Sequence, residues 1–137
     1  MAQLQWNDTD FLDFFAVIPT DEELAVSHTY EIQRTALRLL FTVWQFESVI
    51  QASLFRDAAN AALFSFAAYV RGEARLIDDQ RGRFIEFEDC IVAPNRFWRF
   101  RAGVNPFDQE YVPISVSIRL TIDPDIQVNF LDYESRT

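Results

Sequence analysis

The sequence predicts a mainly β, α+β protein. It reads as an acidic helical segment over residues 1–28 and an antiparallel meander of five or six strands over 30–133, in one domain spanning 1–137. Three observations carry that prediction. A chain of 137 residues fits a single domain, and at this size roughly 68–70% of the unfolded surface is buried without metals or disulfides. Half of the residues are apolar and 14 are Phe, ample material for a core. Beyond Tyr30, runs of strand-forming residues alternate between turn signals, whereas the first segment has the spacing of an amphipathic helix.

Taken in order, Asp8 or Thr9 caps a short helix bearing Phe11, Leu12, Phe14 and Phe15, ended by Pro19. Thr20-Asp21-Glu22-Glu23 then reads as a capping box, with Thr20 as N-cap of a second short helix reaching Ser27. Acids in these first turns suit the positive ends of helix dipoles. From Tyr30 to Ile50 apolar residues fall on every helical face, and Phe, Val, Trp and Thr favour strands. This region reads as one long strand or two short ones, bent near Glu47-Ser48. Residues 57–72 admit two readings. As a helix, Asp57 caps it and Gly72 ends it. As a strand over 62–77, it alternates Phe64, Phe66, Ala68 and Val70 against Ser65, Ala67, Tyr69 and Arg71, and Asp57–Asn60 is a turn. The strand is the preferred reading.

The rest is read more directly. Asp78–Gly82 is a hairpin loop of about five residues, and Phe84–Val92 is a strand broken by Pro94-Asn95. Phe97–Arg101 continues it or forms an edge. Gly103–Pro113 is a loop. Residues 114–122 alternate cleanly, Asp123-Pro124-Asp125 is a tight turn, and Ile126–Leu131 is the last strand. One polar face on this hairpin fits an antiparallel sheet solvated on one side. The sheet either stays open, with the helices on one face, or curls into a small barrel.

All 12 basic residues are Arg and the chain is lysine-free, although Lys is normally common. Seven Arg fall between Arg71 and Arg101, and residues 1–33 hold seven acids and no Arg. Arg suits bidentate pairing with carboxylates and stacking on rings. The net charge of −9 disfavours nucleic acid and anionic membranes, and suits a basic protein partner or plain solubility. A single cysteine, Cys90, forms no internal disulfide and fits a reducing compartment. The acidic start is unlike a signal peptide, and the longest apolar stretch, Ala58–Val70, is too short to span a bilayer. The expected location is the cytoplasm.

The inventory excludes several chemistries. Without Lys there is no Schiff base, and without G-x-S-x-G or a Gly-rich loop there is no nucleophile elbow or phosphate cradle. A Cys–His dyad would need His28 and Cys90 to meet, and nothing in the sequence pairs them. Glu86 and Glu88 share one strand face beside Asp89, Asp78 and Asp79, a set suited to calcium or magnesium but lacking EF-hand spacing. The simpler reading is a solvated face on which Glu86 and Glu88 pair with Arg71 and Arg75 across the hairpin. No catalytic residue, cofactor or metal is expected.

Two surfaces stand out. Arg96-Phe97-Trp98-Arg99-Phe100-Arg101 mixes Arg with rings, as single-strand nucleic-acid binders do, yet alternation leaves it no purely basic face. Asp10, Phe11, Asp13, Phe14, Glu22 and Glu23 read as an acidic docking face with aromatic anchors, unless the Phe residues face the protein's own sheet. With Arg96, Trp98, Arg99 and Arg101 they form the candidate interaction surface. The function expected first is a non-enzymatic protein-interaction module: an adaptor, chaperone-like factor, inhibitor or assembly subunit, with a protein partner or a homodimer. The alternative is a binder of a small apolar ligand, with Phe41, Trp44, Phe64, Phe66, Tyr69, Trp98 and Phe100 lining a cavity.

Overall fold

The computed structural model describes residues 8–21, 27–93 and 115–132. They form one helix, α1 (Asp8–Phe15), and nine strands: β1 (Thr20–Asp21), β2 (His28–Arg34), β3 (Leu37–Trp44), β4 (Val49–Arg56), β5 (Ala62–Val70), β6 (Ala74–Asp79), β7 (Gly82–Ala93), β8 (Val116–Thr121) and β9 (Gln127–Asp132). Eight strands follow one path, β1-β2-β3-β4-β5-β7-β8-β9, and β6 pairs with β7 beside β5. Every pairing is antiparallel and, apart from β5 with β7, joins strands consecutive in the chain, so the predicted meander is present. The sheet is open: β1 and β9 are its ends.

The strand number exceeds the five or six expected: β1 stands where a helix was expected, the strand over 62–77 divides into β5 and β6, and three strands follow His28 where one or two were expected. The chain reverses at Thr35-Ala36, where Arg34 pairs with Leu37. It turns again through a short 3-10 segment, Gln45–Glu47, into Ser48. Thr35 and Ser48 take left-handed backbone angles, φ 45° and 56°, without Gly or Asn to announce them. The bend predicted at Glu47-Ser48 is there; the hairpin at Thr35-Ala36 carries no sequence signal.

At residues 62–79 the strand reading holds and the helix reading falls. β5 and β6 are nearly one strand, interrupted at 71–73 opposite Glu88-Asp89. Gly72 does not end a helix. It crosses close to β7, donating its N–H to the Glu88 carbonyl at 3.0 Å. A Cβ there would sit 2.8 Å from both Glu88 Cβ and the Glu88 carbonyl oxygen, so only glycine fits. The turn at Asp57–Asn60 is as predicted, with Ala58 at φ 63°. The hairpin loop between β6 and β7 is tighter than expected. Asp79 pairs with Gly82, leaving only Gln80-Arg81 between them. The Asp79 carboxylate accepts the Arg81 backbone N–H at 2.8 Å, which stabilises the short turn.

The first predicted helix is α1, and it stops at Ala16 (φ 56°) rather than Pro19. Thr20 is not an N-cap. Thr20-Asp21 is extended and pairs with Thr29 and His28, so its amides are satisfied by the sheet instead of a helix turn. Glu22 and Glu23 lie outside the described residues.

α1 covers one sheet face. Phe15 stacks on Tyr30 at 4.4 Å and meets Phe41 at 5.6 Å, while Phe11 meets Phe87 edge-on at 6.2 Å. The register aligns these positions: Tyr30 pairs with Phe41, Phe41 with Ala52, and Ala52 with Phe66. The sheet curls around this face. Three strand intervals separate β5 from β9, about 14 Å on a flat sheet, yet Phe66 and Phe130 approach to 5.2 Å. At another corner, Arg34 at the end of β2 reaches Asp123 in the β8–β9 turn at 2.9 Å. The opposite face carries polar pairs such as Thr29–Thr42 and Ser53–Ser65.

Candidate functional site

The most organised polar group among the described residues lies on the sheet face away from α1, across β6, β7 and β8. Phe87 faces the helix, so its neighbour Glu86 faces outward. The register sets Arg75 and Arg119 directly opposite Glu86 on either side. Arg75 Nη2 is 3.7 Å from Glu86 and its Nε is 2.7 Å from Glu88. Arg119 Nε donates to Glu86 at 3.4 Å. One strand position along, the guanidiniums of Arg81 and Arg119 lie 5.4 and 4.9 Å from the centre of the Phe84 ring. Cations near a ring face are attracted to its quadrupole. Arg81 also clasps Asp79 through Nε and Nη2, the latter at 2.7 Å. These hydrogen bonds hold the Asp79 carboxyl below its ordinary value of 3.8 and raise Arg81.

Exposure is uneven in this group. Glu86 is 2% exposed and Glu88 13%, whereas Arg75 is 48%, Arg81 54% and Arg119 23%. Under Arg75 and Arg119 the carboxylates lie beneath the guanidiniums, whereas Asp79, the partner of Arg81, is itself exposed. The expected pairing of Arg75 with Glu86 and Glu88 is therefore present, but the face is not simply solvated, because Glu86 is buried. Arg71 takes Asp89 instead, at 2.7 Å. A bulge explains the change. Phe87 pairs with Ile118 and Cys90 with Val116, so Glu88-Asp89 oppose one residue, and Asp89 adopts φ 54°. The extra residue keeps both Phe87 and Cys90 in the core and turns Asp89 toward Arg71. Arg119 and Phe84 were missed by sequence reasoning. Their outward parity was visible, but the β7–β8 register that sets Arg119 beside Glu86 was not.

The other predicted positions are dispersed. Phe11 and Phe14 are 1% and 2% exposed and pack on the sheet, so they cannot anchor a partner. Asp13 remains outside and accepts from Arg83 at 2.7 Å, and Asp10 lies partly exposed on the same helix. Phe41 and Phe66 lie in the core; Phe64, on the same face, is 47% exposed. Trp44 and Tyr69 both pair with Val49, in a row on the opposite face, so these five rings do not surround one space. Phe41 is itself packed against Phe15 and Phe87. Arg96, Trp98, Arg99, Phe100 and Arg101 lie outside the described residues. His28 and Cys90 sit on β2 and β7 with three strands between them, and form no dyad. Cys90 is fully buried, and burial pushes its thiol well above 9.0. Among the described residues, no group of His, Cys, Asp and Glu is placed to hold a metal ion. No helix there is long and apolar enough to cross a membrane.

No family model matches the chain, and no curated protein matches it. Among solved structures, the chain is similar to one from the contact-dependent growth inhibition toxin–immunity protein complex of Klebsiella pneumoniae 342. The TM-score is 0.68 at 17% identity, covering 93% of this chain and 95% of that one. At this identity the likeness is one of fold.

Proposed function

We propose that this protein is a non-enzymatic binding module of the immunity kind, which neutralises a protein toxin by occupying it. The observation that carries the reading is the shared fold over nearly the whole length of both chains, with a chain taken from a toxin–immunity complex. Of the two roles in such a complex, binding suits this chain better than catalysis. It has one His, one buried Cys and no Lys, and its ordered Arg–carboxylate network lies on a sheet face rather than around a reactive group. A charge of −9 favours a net basic partner, because the summed field accelerates encounter with one.

The test is tagged purification from its own cells at low salt, followed by expression of each co-purifying protein alone and with this chain. The expected result is a basic protein that arrests growth alone and is silenced by co-expression. A preparation carrying only a small molecule, or a partner whose toxicity is unrelieved, overturns the reading. Affinity for that partner should fall steadily with added NaCl; salt-independent binding would remove the electrostatic part.

A further inference from the structure

We infer that the outer face of β6, β7 and β8 is where the protein partner docks carboxylate side chains, with Arg75, Arg81 and Arg119 as the anchors. This deepens the immunity reading and rests on it for the partner, but the surface itself is argued from geometry. A guanidinium has five N–H donors in a rigid fork. Arg75 spends Nε and Nη2 on Glu88 and Glu86, Arg81 spends Nε and Nη2 on Asp79, and Arg119 spends Nε on Glu86. Each keeps Nη donors uncommitted, on side chains that are 48%, 54% and 23% exposed. Glu86 and Glu88 hold Arg75 and Arg119 from below, and Arg81 is held by its clasp on the exposed Asp79 and by the Phe84 ring. Binding therefore costs less side-chain entropy than it would with free arginines.

Spacing and charge select the occupant. Arg75 and Arg119 lie on strands two intervals apart, about 10 Å. Two carboxylates on alternate residues of an extended segment, about 7 Å apart, fall within reach of both side chains. Nucleic acid would meet the full field of a −9 chain. A net basic protein meets attraction at long range and offers its few carboxylates to the guanidiniums at short range. The first effect sets the encounter rate, the second the register.

The test uses the whole protein and a neutral peptide, acetyl-Lys-Glu-Val-Glu-Lys-amide, followed by NMR of the Arg Nε–Hε groups at low salt. Saturable shifts are expected at Arg75, Arg81 and Arg119 and not at Arg34 or Arg38, with none from the peptide in which Gln replaces Glu. Arg75→Gln with Arg81→Gln should weaken the peptide at least tenfold, with an amide NMR spectrum that shows the fold retained. Arg81→Gln alone should weaken it severalfold; the only carboxylate partner of Arg81 among the described residues, Asp79, is exposed. Equal shifts at Arg34 and Arg38, equal effects of the Gln peptide, or stronger binding of a thymidine oligonucleotide at these arginines would overturn the proposal. Because no toxin enters this experiment, its failure leaves the immunity reading standing. Failure of toxin rescue with intact peptide binding removes that reading alone.

Discussion

Glu86 is the one charged side chain among the described residues that is buried, and the guanidiniums of Arg75 and Arg119 are among the groups that compensate it. Removing one partner of a buried pair costs far more than the pair contributes, because a carboxylate stays in low dielectric with too few donors. Arg119→Ala should therefore lower the unfolding free energy by about 3 kcal/mol, read from urea denaturation, while replacing Glu86 and Arg119 together by Leu should cost much less. Arg75 is half exposed, so water can replace part of what it gives Glu86 and Glu88, and Arg75→Gln should cost less than Arg119→Ala in the same measurement. Cys90 makes a prediction of another kind. Its buried thiol, held above 9.0 mainly by desolvation and secondarily by Asp89, stays protonated in the folded protein. Iodoacetamide should label it only through unfolding, and rapidly in denaturant. The folded value is raised, so its contribution to stability is complete at lower pH. That contribution declines once pH passes about 9, where the unfolded thiol ionises.

At the scale of elements, β7 organises the molecule. It pairs with β5 and β6 on one edge and β8 on the other, and its bulge at Glu88-Asp89 fits the interruption at 71–73. Gly72 makes that fit possible, so Gly72→Ala must push β6 away from β7. We expect a loss of about 1–3 kcal/mol, with faster amide exchange in β6 than in β3 if the effect is local. Much of this element was legible from the sequence: the strands on both sides of Asp78–Gly82 alternate clearly, and Arg75 shares parity with Glu86. The bulge was not, because Asp89 takes a left-handed angle that no glycine marks. The same limitation hid the Thr35-Ala36 reversal and made three strands look like one or two.

For the whole molecule, charge acts in opposite directions on folding and on association. The surplus of acids repels itself in the compact state, so the urea midpoint should rise between about 10 and 200 mM NaCl, while affinity for a basic partner falls over the same range. A midpoint insensitive to salt would mean that local pairs, such as Arg34–Asp123 and Arg83–Asp13, already cancel the repulsion. Both pairs link segments far apart in sequence: Arg34–Asp123 joins the two ends of the curled sheet, and Arg83–Asp13 ties α1 to β7.

Composition and periodicity alone determined the mainly β meander, the N-terminal helix with its aromatic face, the turns at Asp57 and Asp123, and the absence of recognisable catalytic motifs. These follow from short-range rules, since turn chemistry and a two-residue period act within a few positions. Register, curvature and the sidedness of the aromatic rings were decided only by tertiary structure. α1 buried Phe11 and Phe14 because its apolar face packs on the sheet. In a strand a one-residue slip sends a side chain to the other face, which is why the supposed cavity rings were divided. It is also why Glu86, read as a surface acid, became the buried centre of an arginine row once β7 was set between β6 and β8.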